Sequence, residues 1–160
     1  MAAFPYHDEI EIAARNHDLP VPLVKAVVEV ESEFNPWAVR YEHAFFSRYI
    51  AGKNIVRPRA PCSRATEERL VACSFGLMQI LGQTAREIGF DGTFLTELCA
   101  PDVGLQWGCR YLGILFDRHG DDGLDAVVAA YNAGSPRKNA SGEYVNQAYV
   151  EKIRRAGGFE

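Results

Sequence analysis

One carboxylate stands out by its position. When the stretch from Pro20 to Phe34 is wound as a helix at about 100° per residue, Leu23, Val24, Val27, Val30 and Phe34 gather on one face, with Lys25, Glu29 and Ser32 opposite. Glu31 falls inside the apolar stripe, about 40° from Val27. A glutamate there has two explanations. Either the stripe opens to solvent at the helix end and the carboxylate pairs with an arginine such as Arg40, or apolar surroundings disfavour its charged form. In the second case a raised pKa keeps a proton available at neutral pH, which is what a general acid needs.

No other residue type offers comparable chemistry. The four cysteines, Cys62, Cys73, Cys99 and Cys109, include neither a Cys-x-x-Cys pair nor a Cys/His cluster of zinc-site spacing, so no metal is expected. In an oxidising compartment 62/73 and 99/109 are the first bridges to expect; the alternative is four small buried hydrophobes. His7, His17, His43 and His119 are scattered and read as surface or helix-end residues. A net charge of −4 speaks against general nucleic-acid binding. Residues 40–69 nevertheless carry seven basic and three acidic side chains, which suits either an anionic ligand or solvated loop arginines.

The frame that positions Glu31 reads as mainly helical. A chain of 160 residues with 48% hydrophobic and 24% charged residues fits one self-sufficient domain over 1–160. Helical periods cover about 6–17, Pro20 to Glu33, 64–73, 83–89, 94–99, Pro101 to Gly120, 122–133 and 143–155, with Gly134 as a left-handed stop. Residues 36–62 are irregular and aromatic, with room for a small hairpin in the 40–60 region. The N-terminus lacks the basic and apolar regions of a secretory signal. No apolar run approaches the roughly 18 residues that span a bilayer, so no membrane insertion is expected.

Three separated strings then fall in a recognisable order: Glu31-Ser32 within Val-Val-Glu-Val-Glu-Ser-Glu-Phe-Asn-Pro, Gly76-Leu77-Met78-Gln79-Ile80, and Ala130-Tyr131-Asn132-Ala133-Gly134. Over roughly residues 20–153 the chain resembles the soluble lytic transglycosylases of the lysozyme-like superfamily, with Thr84-Ala85, Gly108, Tyr111-Leu112 and Tyr149-Val150 as smaller agreements. The resemblance implies a mainly α, goose-type lysozyme-like helical fold with a groove for peptidoglycan glycan strands. It also implies cleavage of the β-1,4 bond between N-acetylmuramic acid and N-acetylglucosamine, with 1,6-anhydro closure and no cofactor. Glu31 becomes the catalytic acid, with Tyr131 close enough to orient it. Ser32, Ser74, Met78, Gln79, Asn132 and Tyr149 join Tyr131 as substrate-binding candidates. Met78 reads sooner as core filling than as a sugar contact, while the alternative for Gln79 is a partner for a buried backbone group and for Tyr131 a core aromatic.

The pattern also departs from the family. Ala38-Val39 is followed by Arg40 where a serine contacting the acid is usual, and a long segment runs on to Ser74. Its string Tyr41-Glu42-His43-Ala44-Phe45-Phe46 is similar to one in some phage muramidases. Glu42 is therefore either a second carboxylate that activates water, making the enzyme hydrolytic, or an exposed side chain paired with an arginine. Trp37, Phe45 and Phe46 either stack on sugar faces or anchor the segment. A non-catalytic wall-binding module is the third alternative. The setting implied is the bacterial cell wall, reached by a phage lysis protein through a membrane lesion or by a virion- or secretion-associated enzyme, and a monomer suffices.

Overall fold

Helix α1 (His7–Asn16) buries Ile10, Ala13 and Ala14, an i, i+3, i+4 stripe, against the longest helix, α6 (Pro101–His119). Pro20 and Pro22 open α2 (Val21–Ser32), where the fixed proline φ suits a first turn. Leu23, Val24, Ala26, Val27 and Val28 bury one side of this helix. It stops abruptly because Glu33 and Phe34 both take left-handed φ, 51° and 61°. Neither is glycine, so tertiary contacts must hold this costly termination. It leaves Glu31 and Ser32 in the last helical turn.

These coordinates come from a computed structural model that describes residues 4–58 and 61–160; residues 1–3, part of the string read for a leader, lie outside the described residues. The expected 40–60 hairpin is replaced by a different pairing. Strand β1 (Val39–Tyr41) is present, but its antiparallel partner is β2 (Cys73–Phe75), which in turn pairs with β3 (Ile80–Leu81). After β1 the chain instead forms a short helix α3 (His43–Phe45) and a π-helical turn at Phe46–Ile50. Helix α4 (Arg64–Leu70) starts at the Ser63 cap, whose hydroxyl accepts from the Thr66 N–H, and ends earlier than its expected bound of 73 because Cys73 enters the sheet.

Helices α5 (Gly82–Glu87), α6, α7 (Leu124–Ala133) and α8 (Gln147–Arg155) follow, with a 3-10 turn at Leu95–Cys99 where a helix was expected. Gly134 closes α7 at φ 76°. Helix α8 starts later than its period suggested, since Lys138 and Tyr144 pair across a local bridge. No helix among the described residues is long and apolar enough to cross a membrane.

Two apolar clusters result. The larger joins α1, α2, α6, α7 and α8 around Leu23, Val27, Leu105, Leu112, Val127 and Ile153. The smaller holds the sheet to α5 and the 3-10 turn through Ile50, Val71, Phe75, Ile80, Leu95 and Leu98. Tyr111 on α6 packs against both. The four cysteines are free and buried, so neither the 62/73 nor the 99/109 bridge is formed. They fill space: Cys73 Sγ points at the Arg69 carbonyl and Cys109 Sγ lies 3.9 Å from Met78 Sδ.

Met78 reaches its place because α6 presents Gly108 to it, where a Cβ would overlap the methionine side chain. Gly113 on the same helix has only the His17 carbonyl oxygen at 3.8 Å, an ordinary contact. Gly108→Ala should cost about 1–3 kcal/mol through overpacking. Gly113→Ala should be neutral or stabilise by up to about 1 kcal/mol through helix propensity. Thermal or urea unfolding of the two variants checks this opposite response.

Candidate active site

Between β2 and β3 the chain makes a turn, Gly76–Gln79, whose first three residues are buried. Buried carbonyls have no water to fall back on, so each needs a partner from the protein. Gly76 O accepts from the backbone N–H of Gln79 (3.2 Å) and from its side-chain amide (3.0 Å). Leu77 O accepts from the Ser32 hydroxyl (2.8 Å), and Met78 O from the Tyr131 hydroxyl (2.8 Å). The Gln79 amide also donates to Ala38 O (2.9 Å), ahead of β1. Gly76 adopts φ 70°, and a Cβ there would run into the Leu98 carbonyl, so glycine is required twice over. Gln79 sits at φ 47°, a strained setting that its amide bonds hold in place.

The three sequence strings therefore meet at one turn, and this revises several expectations. The Ser32 hydroxyl donates to Leu77 O, with Val28 O at 3.1 Å as its alternative acceptor, so its proton is committed to the backbone. Met78 is fully buried and acts as core filling, not as a sugar contact. Tyr131 does not hydrogen-bond the acid, because its hydroxyl is spent on Met78 O. The phenol on Glu31 is that of Tyr149 from α8, donating to Oε1 at 2.7 Å. Helix α8 is fixed for this by buried Val150 and Ile153, by Arg154 on Asp125 of α7 (2.7 Å), and by Asn146 just before it, whose amide reaches Ala129 O (3.0 Å).

Glu31 faces an open cleft of about 470 Å³ between the two clusters. Helix α7 lines it with Tyr131 and Asn132, and the sheet side contributes Arg40, Ser74 and Gln79. Asn132 Oδ1 accepts from Asn146 (3.0 Å), which orients its amide. Glu42 also lines the cleft while accepting from Arg40 Nε (2.6 Å) and, more weakly, from Ser74 Oγ (3.4 Å). The expected arginine pairing is thus present, and the side chain also lines the groove. Of the three aromatics proposed for sugar stacking, Phe45 alone lines the cleft. Trp37 is 76% exposed, and Phe46 packs on the smaller cluster beneath Arg69. Tyr49 lines the cleft without having been singled out in the sequence; only the aromatic richness of its segment pointed there.

Burial pushes the Glu31 carboxyl above its ordinary pKa. The Tyr149 hydrogen bond and the Arg40 charge pull it down, Glu42 pushes it up and Lys152 pulls it down slightly, and burial prevails. The phenols of Tyr131 and Tyr149 are held well above their ordinary value, first by burial and then by the Glu31 charge, so both stay protonated donors. Such an arrangement can deliver a proton into the cleft and take one back. Among the described residues no group of three or more metal-binding side chains comes together.

The family model described as the transglycosylase SLT domain matches residues 8–153, so the chain belongs to that family. No curated protein matches it.

Opposing influences on one carboxyl make a directional test. Tyr149→Phe removes a bond that favours the charged form and should raise the Glu31 pKa; Glu42→Gln removes a like charge and should lower it. Carbon-detected NMR titration of the glutamate carboxyls reads both. Linkage gives a second check. With the folded pKa above the unfolded one, the contribution of Glu31 to stability is complete below the unfolded pKa and is lost as pH rises through the folded value. Glu31→Gln should therefore be more stable than the parent at neutral pH and lose that advantage in acid, as followed by urea unfolding against pH.

Proposed function

We propose that this member of the transglycosylase SLT domain family cleaves the β-1,4 bond between N-acetylmuramic acid and N-acetylglucosamine, and that Glu31 is its only catalytic acid and base. The observation that carries the reading is a carboxyl whose pKa burial raises, held by Tyr149 at the end of α2 and lining the cleft. Neutral Glu31 protonates the glycosidic oxygen as positive charge builds on the anomeric carbon. The glucosamine leaves with that proton. The carboxylate then takes the proton of the muramic 6-hydroxyl, whose oxygen attacks the anomeric carbon and closes a 1,6-anhydro ring. Neither water nor a second carboxylate takes part. Gln79, Asn132, Ser74 and the ring of Tyr131 line the groove, and on this reading they contact the glycan. Tyr111 packing against both clusters supports a single catalytic domain over 1–160.

One observation favours a second reading, in which water replaces the 6-hydroxyl. Glu42 faces the same cleft, with the Ser74 hydroxyl beside it, where a water could be held and deprotonated. The products separate the two: anhydromuramic ends follow from internal attack, reducing muramic ends from hydrolysis.

Purified cell wall digested with the protein and analysed by mass spectrometry should yield anhydromuramic ends. Glu31→Gln should lower kcat by at least about 10²–10⁴-fold while still binding wall. The rate should fall as pH rises through the Glu31 pKa, since the donor must be protonated. Reducing ends that vanish with Glu42→Gln would establish the hydrolytic reading instead, and an inert parent protein that binds wall would reduce the domain to a binding module.

A further inference from the structure

Arg40 is the one cation among the described residues that line the cleft, whose other charged groups are Glu31 and Glu42. Neutral amino sugars alone would offer it no charged partner in the ligand. Arg40 sits in the middle of β1, opposite Ser74 in the sheet register, and Glu42 follows two residues later on the same side. Its Nε donates to Glu42 at 2.6 Å. The two terminal nitrogens have no hydrogen-bond partner among the described residues, and the side chain is 63% exposed at the cleft. Fixed through Nε, the guanidinium presents its terminal edge, the edge that binds a carboxylate with two parallel hydrogen bonds.

Resting on the glycan reading of the cleft, we infer that Arg40 is a specificity-determining residue that binds a carboxylate on the muramic side chain. Muramic acid differs from glucosamine by its lactyl ether. That ether ends in a free carboxylate on stripped glycan and in a peptide stem, with carboxylates of its own, on intact wall. Both sources present the same chemistry to the guanidinium. Chitin oligomers, which have the same backbone without the ether, present none. Arg40 thereby lets the groove distinguish wall glycan from chitin, and it does so from the sheet side of the cleft, away from the Tyr149 bond to the acid.

Calorimetry on the Glu31→Gln protein, which binds without turnover, tests this with three ligands: a stem-free muramic tetrasaccharide, its stem-bearing form, and chitotetraose. Adding Arg40→Gln should weaken the carboxylate-bearing ligands about three- to tenfold and leave chitotetraose within about twofold. Arg40→Lys should restore part of the loss, because it keeps the charge without the fork. A loss confined to the stem-free ligand assigns the lactyl carboxylate, and one confined to the stem-bearing ligand assigns the stem; either supports the inference. Equal weakening of all three ligands, or none, overturns it while the glycan groove stands. If the Glu31→Gln parent binds none of the three, the glycan reading fails and this inference fails with it. Circular dichroism and the unfolding midpoint confirm that the Arg40 variants keep the fold.

Discussion

The arrangement depends on a buried turn whose carbonyl oxygens cannot reach water. Gly76, Leu77 and Met78 each present one to the interior, and each is met by a donor from a different place: the Gln79 amide, Ser32 on α2 and Tyr131 on α7. An orphaned buried carbonyl costs about 1–3 kcal/mol. Three of them would consume much of the roughly 5–15 kcal/mol that holds a domain folded. Satisfying the turn also registers α2, α7 and, through Ala38, the start of the sheet against one another. The cleft walls are set as a by-product of backbone hydrogen bonding.

The protonation of the acid is a contest decided by burial. Three influences favour the carboxylate, from Tyr149, Arg40 and Lys152, while Glu42 and the surrounding protein oppose it. One bond thus acts on both position and pKa, with burial opposing it on the second. Tyr149 points the carboxyl while favouring its charged form, and desolvation raises its pKa. Tyr131, one helix away, affects the acid only by sharing its buried surroundings, since its hydroxyl is committed to the turn.

Much of this was legible in the sequence. The 3.6-residue period gave the helices, and the same period exposed Glu31 as a carboxylate on an apolar face. What escaped was non-local. A three-residue strand such as Val39–Tyr41 is too short to show a period of two, and its partner lies some thirty residues on, so the pairing with Cys73–Phe75 left no local trace. Tyr131 and Tyr149 are the same residue type on adjacent helices, and only the tertiary structure shows that the first bonds Met78 O and the second Glu31. Ser32 lies opposite the apolar stripe on a helical wheel, yet the turn crosses beside the helix end there and claims its hydroxyl. The cysteines of the first expected bridge have separate neighbours, Cys62 beside Glu67 and Cys73 against Arg69, so proximity along the chain misled.

The pairing of Tyr41 with Cys73 makes the intervening segment a closed excursion. The chain leaves the sheet and rejoins it across one rung of the ladder, about 5 Å away. Loop length between points already so close adds little closure entropy. Exchange of this stretch would rebuild one flank of the cleft, with Glu42, Phe45 and Tyr49 in its lining, while Glu31 at the end of α2 kept its place.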